Sequence, residues 1–198
     1  MYNFTVTMAL ADFIPVLLFG AAAVLLLRDL KMDKAAYALF AAGVTDIFCA
    51  GFLKALWKLL YAAGVCDFAV LNSIFLPVQS IGFALAGLGI LLLLCGKKKS
   101  AALAAAPPVF SGRFVFIILM VLGLGCLCTC LSVIAAKRKK TPAVILFVLA
   151  FLFSMGMGAM SRQDSTAAVV NWIEQGVNTA SQACLLGGVV ILHKAGLG

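Results

Sequence analysis

The chain has 198 residues, of which 65% are hydrophobic and 11% are charged, and its formal net charge at pH 7 is +8. So few polar residues cannot cover a soluble globule of this length, which indicates that lipid covers much of the surface. The positive charge does not indicate nucleic-acid binding, because the Lys and Arg residues fall mostly in short clusters between apolar runs.

The apolar runs extend along the whole length and leave no segment for a sizeable soluble domain, so we predict one all-α, polytopic membrane domain over residues 1–198. A membrane-spanning helix needs about 20 mostly apolar residues. Six runs meet this length, at residues 5–27, 35–62, 68–95, 114–136, 141–161 and 165–193. All connections except 96–113 are short, so consecutive helices are expected to be antiparallel neighbours.

The first two helices carry charged side chains inside apolar runs, where a charge costs about 2.5 kcal/mol or more. Asp12 lies three residues before Pro15, and Asp46, Lys54 and Lys58 lie along one side of the second helix. The opposite signs favour neutralisation by pairing, for example between Asp12 and a lysine. An alternative is that the membrane helix ends near Phe52 and that an amphipathic segment, KALWKLLYA, follows it at the lipid headgroups with both lysines snorkelling.

The third and sixth helices carry amide-rich polar stripes. The third has Asn72 and Gln79, seven residues apart. On the sixth, polar residues recur at intervals of three or four, namely Asn171, Glu174 or Gln175, Asn178 and Gln182. Two interpretations stay open for these side chains. They bind a ligand, or they form hydrogen bonds between helices that are worth about 0.6 kcal/mol each and specify packing only.

The third and sixth helices also resemble each other in sequence. Asn72 aligns with Asn171, Gln79 with Asn178, and Pro77 with Gly176, so both helices are expected to be interrupted at matching depths. We therefore predict an inverted repeat of three helices, with halves at 1–99 and 100–198, because an odd number of crossings reverses the second copy.

The distribution of basic residues predicts a cell-membrane protein whose N-terminus is outside, although the bias is small. This orientation places eight basic residues in the cytoplasm and five on the other side. The cytoplasmic set is Arg28, Lys31, Lys34, Lys97, Lys98, Lys99, Arg113 and Arg162, and the other set is Lys137, Arg138, Lys139, Lys140 and Lys194.

Motifs of common soluble enzymes, such as HExxH, GxSxG and the Walker loop, do not occur in the sequence. Six of the seven cysteines lie in or beside apolar runs, where cysteine acts as a small hydrophobic residue, so we expect neither a metal nor another cofactor. The leading hypothesis is a transporter, or a substrate-binding subunit of one, that handles a small molecule or ion in a polar intramembrane cavity. The predicted ligand-binding residues are Asp12, Asp46, Lys54, Lys58, Asn72, Gln79, Glu174, Asn178 and Gln182.

Two other functions compete with this hypothesis. The first is a non-transporting structural or regulatory module, acting as a homodimer or with a partner membrane subunit, whose buried polar residues specify packing only. The second is a membrane enzyme that acts on a lipid, in which acids and lysines perform acid–base chemistry. In size and helix count the chain looks like the substrate-binding subunits of energy-coupling-factor vitamin transporters. This resemblance assigns a role to no residue and identifies no ligand.

Overall fold

The computed structural model describes residues 5–95, 113–160 and 168–196, which form eight α-helices and no strand. In chain order they are α1 (Val6–Ala11), α2 (Phe13–Asp29), α3 (Lys34–Ala62), α4 (Ala69–Ser73), α5 (Phe75–Cys95), α6 (Arg113–Lys137), α7 (Thr141–Met160) and α8 (Ala168–Lys194). The predicted all-α class is confirmed. Five segments are long and apolar enough to cross a membrane, namely Val6–Asp29, Lys34–Ala62, Ala69–Cys95, Phe114–Lys137 and Val169–Lys194, and Thr141–Met157 is a shorter apolar helix.

Two of these segments are interrupted near a proline. α1 and α2 meet at Asp12, three residues before Pro15, and α4 and α5 meet at Ile74, three residues before Pro77. Proline has no N–H to donate to the carbonyl four residues earlier, and its ring clashes with that carbonyl, which weakens the helix at this point. The predicted interruption next to Pro77 is therefore confirmed. The matching interruption at Gly176 is wrong, since α8 is continuous and glycine lowers the cost of a break without forcing one.

Hydrogen bonds between helix ends define one face of the helical bundle. His193 at the end of α8 contacts Asp29 at the end of α2, and Arg138 after α6 donates to the carbonyl oxygen of Gly196. We call this side of the bundle the basic face. It carries Arg28, Lys31, Lys34, Lys137, Arg138, Lys139, Lys140 and Lys194.

α5 and α6 run in the same direction and end at this basic face. Cys126 Sγ donates to the carbonyl oxygen of Gly87 at 3.4 Å, and one turn earlier on both helices the backbone of Gly123 lies against that of Phe83.

This direction contradicts the predicted inverted repeat. The first, third, fourth and sixth apolar segments all run towards the basic face, so the two triplets have the same orientation and not opposite ones. The prediction was wrong because it assumed that an odd number of crossings reverses the second copy, whereas α5 and α6 run in the same direction.

The helices form a closed ring in which each packs against its neighbours in sequence and α8 packs against α2. In the half of the ring next to the basic face, side chains from all six segments fill the centre. These buried residues include Leu26, Phe40, Ile90, Leu131, Phe147 and Leu192. Apolar packing thus closes the basic-face half of the bundle, and any polar interior lies in the other half.

Candidate functional site

A cavity of about 130 Å³ lies between α2, α3, α5, α7 and α8. Seven of the nine predicted ligand-binding residues line it, although they come from distant parts of the chain. They are Asp12, Lys54, Lys58, Gln79, Glu174, Asn178 and Gln182. The structure therefore brings together most of the polar residues that the sequence singled out.

The cavity occupies the half of the bundle that faces away from the basic face. Lys54 and Lys58 lie in the last turns of α3, while Asp12 and Glu174 lie in the first turns of their membrane segments. Apolar side chains, including Phe19, form other parts of the lining. The cavity thus begins near the face opposite the basic one and reaches towards the middle of the bundle.

One ion pair lies within the lining. Lys58 Nζ is 2.6 Å from Asp12 Oδ2, and the two side chains are only 15% and 9% exposed. Asp12 occupies the interruption between α1 and α2, so the break that Pro15 imposes also places this carboxylate. The opposite charges compensate each other where a single buried charge would be costly.

The second lysine lies against an aromatic ring. Lys54 Nζ is 3.8 Å from the centre of the Phe75 ring, a distance typical of a cation–π contact. Phe75 is the first residue of α5, directly after the interruption at Ile74. Sequence reasoning missed Phe75 because phenylalanine is common throughout the apolar runs and its position gives no distinct signal.

The lining face of α8 has buried polar atoms without a protein partner. Glu174 Oε1, Gln175 Nε2 and Gln182 Oε1 have no hydrogen-bond partner among the described residues. Such an atom costs about 1–3 kcal/mol when nothing bonds to it. Gln175 was the alternative to Glu174 in the predicted stripe, and its spacing from Asn178 and Gln182, three and seven residues, places it on the same side of the helix.

Two predicted residues lie outside the cavity. Asp46 is half-buried on α3 and packs close to Gly82 of α5, and Asn72 is half-buried on the short helix α4. The spacing of Asp46 from Lys54 is eight residues, which turns it about 80° around the helix from that lysine. A stripe that is continuous in sequence therefore faces two different neighbours.

The alternative of an interfacial segment after Phe52 does not hold. α3 continues as one helix to Ala62, and Trp57 is 3% exposed. Its indole Nε1 donates to Asp67 Oδ1 at 3.0 Å. The tryptophan therefore fixes the end of α3 to the following connection.

At the basic face, charged groups connect α2 to α8. His193 Nδ1 of α8 lies 2.6 Å from Asp29 Oδ2 of α2, and Arg28 Nη2 of α2 lies 3.2 Å from His193 Nε2. These contacts hold together the ends of two helices that both line the cavity farther along their length.

Comparisons of the chain with protein-family models, with curated proteins and with solved structures find no match. The functional interpretation therefore depends on the cavity and on the arrangement of the helices around it.

Proposed function

We propose that this protein binds a small polar solute inside the membrane and acts as a transporter or as the substrate-binding subunit of one. The observation that carries the proposal is the cavity itself. Seven polar residues selected from the sequence line it, and three buried polar atoms of α8 in or beside it have no protein partner. A solute that bonds to these atoms would remove the cost of burying them.

The orientation belongs to the same proposal. We place the basic face in the cytoplasm and the N-terminus outside the cell membrane, with α7 as a sixth membrane-spanning helix in the ring. Both basic connections, around Lys31 and around Lys139, then lie on the cytoplasmic side, as the positive-inside rule requires. Among the described residues, the basic ones in the outer half are then Arg113 and the two lysines of the cavity, Lys54 and Lys58.

This orientation puts the cavity in the outer half of the membrane and the apolar core in the inner half. An alternating-access transporter with its site accessible from outside has this arrangement, and transport would require the inner half to open. The contacts of His193 with Asp29 lie at the inner end, where such an opening would separate α2 from α8.

The cavity favours this function over a packing module. A module whose amides serve only to hold helices together requires hydrogen-bonded partners for those amides. Gln175 is 9% exposed and Gln182 is half-buried, yet each has an amide atom without a partner among the described residues.

Access of water to the cavity is tested by thiol labelling of Gln182→Cys, with Ala183→Cys as the matched control on the next residue of α8. Gln182 lines the cavity, whereas Ala183 is exposed on the outer surface of the ring, where lipid would cover it. Each variant in sealed, right-side-out vesicles is treated with a charged, impermeant thiol reagent, and mass spectrometry locates the modified cysteine.

We expect the cysteine at 182 to react from the outside and the cysteine at 183 to remain unmodified, because a charged reagent enters water-filled space and not lipid. If the cysteine at 182 is unreactive from both sides in a folded protein, the cavity is dry and the proposed function is wrong.

A further inference from the structure

The polar groups of the cavity narrow the chemical class of the solute. We propose that it is a small zwitterion, a free amino acid that presents an ammonium and a carboxylate to opposite charges of the lining. This inference depends on the proposed solute-binding function, and it names the ligand class for the same cavity.

The first support is the charge balance of the lining. Its charged side chains among the described residues are Asp12, Lys54, Lys58 and Glu174, two acidic and two basic. A solute with a net charge would leave that charge uncompensated inside the membrane, which is unfavourable. A zwitterion adds no net charge, and its ammonium and its carboxylate can each still face an opposite charge of the lining.

The second support is the set of atoms without partners. Glu174 Oε1 and Gln182 Oε1 are acceptors, and Gln175 Nε2 is a donor. An ammonium has N–H groups for the oxygens and no acceptor, while a carboxylate accepts from the amide nitrogen and has no donor. Both kinds of group are needed, and an amino acid carries them in one molecule.

The third support separates a zwitterion from a neutral polyol, which also offers donors and acceptors. One of the acceptors belongs to the carboxylate of Glu174, and Lys54 contributes an ammonium to the same lining. Hydrogen bonds between oppositely charged groups are roughly twice as strong as those between neutral groups. A zwitterion gains this strength at both ends.

The size of the cavity limits the solute to a small amino acid. A volume of about 130 Å³ is close to that of a cavity of about 150 Å³ that holds benzene. This space accepts a molecule of roughly six to eight non-hydrogen atoms. Apolar side chains of the lining, such as Val16 and Ile47, leave room for a small aliphatic group.

The same chemistry occurs in the headgroup of phosphatidylethanolamine, but the depth of the cavity favours a free solute. Of the polar groups proposed to bind the solute, Glu174 lies about 9 Å along α8 from Ala168, and Gln182 lies about 21 Å along it. The depth of Gln182 is near the middle of a bilayer, below the level of the headgroups.

The test is equilibrium binding of radiolabelled L-alanine to the purified protein in nanodiscs that lack phosphatidylethanolamine. Three competitors isolate the charges. Alaninamide lacks the carboxylate, propionate lacks the ammonium, and glycerol has as many non-hydrogen atoms as alanine but no charge. We expect saturable binding of L-alanine and affinities at least about tenfold weaker for all three competitors, the loss that one charge-assisted hydrogen bond predicts.

Variants connect the binding to the cavity. Glu174→Gln and Lys54→Met should each weaken alanine binding at least about tenfold, because each removes one charge that faces the zwitterion. Asn178→Ala should also weaken it, whereas Asn72→Ala is the matched control outside the cavity and should leave it unchanged. Unfolding temperatures without solute show whether each variant is folded.

If alaninamide, propionate or glycerol binds as tightly as alanine, or if alanine and other small amino acids do not bind, the proposal of a zwitterionic solute is wrong. Reactivity of the cysteine at 182 in the same preparation would then show that the water-filled cavity, and with it the proposed function, still stands. If alanine binding is lost when phosphatidylethanolamine is added, the site binds the lipid headgroup, and the proposal that it binds a free amino acid is wrong.

Discussion

Removal of Lys58 should destabilise the protein far more than removal of an exposed lysine. Lys58→Met keeps the length of the side chain but takes away the ammonium 2.6 Å from the Asp12 carboxylate. Asp12 is 8% exposed, so its charge cannot be solvated fully by water. Breaking a buried ion pair by removing one partner costs about 3–5 kcal/mol. In a domain of this length, 1 kcal/mol corresponds to about 2–4 °C, so we expect the unfolding temperature to fall by about 6–20 °C.

The double variant Asp12→Asn with Lys58→Met should recover much of this loss, since no uncompensated charge of the pair remains. The unfolding temperature of each variant is measured in the same detergent by the fluorescence of Trp57 and Trp172. Lys31→Met is the control, because Lys31 is exposed at the basic face and should change stability by less than about 0.5 kcal/mol. If Lys58→Met costs less than about 1 kcal/mol, the pair behaves like one on a solvated surface, and the argument from burial is wrong.

Three further predictions concern packing, sidedness and the contacts at the basic face. Gly43→Ala should lower the free energy of unfolding by about 1–3 kcal/mol or more, because the added Cβ would overlap the backbone of Ala86. Gly176→Ala has open space around the added Cβ and should raise the free energy of unfolding by up to about 1 kcal/mol. Equal effects of the two variants in thermal unfolding would contradict the packing of α3 on α5. Lys31→Cys and Lys137→Cys should both react with an impermeant maleimide only in inside-out vesicles. Labelling of the two cysteines from opposite sides would show instead that consecutive helices alternate in direction. His193→Ala should cost no more than about 1 kcal/mol in thermal unfolding, since its side chain is 39% exposed, and a larger loss would show that this contact stabilises the closed inner half.

Much of the site could be predicted from the sequence because charge and amide groups are costly in lipid. That cost singles out Asp12, Lys54, Lys58 and Glu174 without any knowledge of the fold, and the structure places all four around one cavity. Helical spacing also gave the polar face of α8, with Asn178 at its centre.

The arrangement of the two halves could not be predicted in the same way. Alternation of direction follows from short connections, but α5 and α6 are joined by a long one. Close contact between Gly87 and Gly123 sets their parallel packing, and glycines are frequent along the whole chain. The nearly balanced count of basic residues arose from the same error, because it placed Lys137 and Lys31 on opposite sides.

Neighbouring helices also decide which polar residues reach the cavity. Asp46 and Asn72 have the same chemical signal as the residues that line it, yet Asp46 faces Gly82 and Asn72 precedes the break at Ile74. The aromatic partner of Lys54 depends on where α5 begins, which is a property of the folded chain near Pro77.

A crystal structure of the protein grown in a lipid mesophase with L-alanine would test the central claim most directly. The account predicts solute density in the cavity within hydrogen-bonding distance of Glu174 Oε1 and Gln175 Nε2, with apolar packing intact in the half next to the basic face. A cavity that is closed by its own side chains, with these atoms bonded to other protein groups and no solute density, would contradict it.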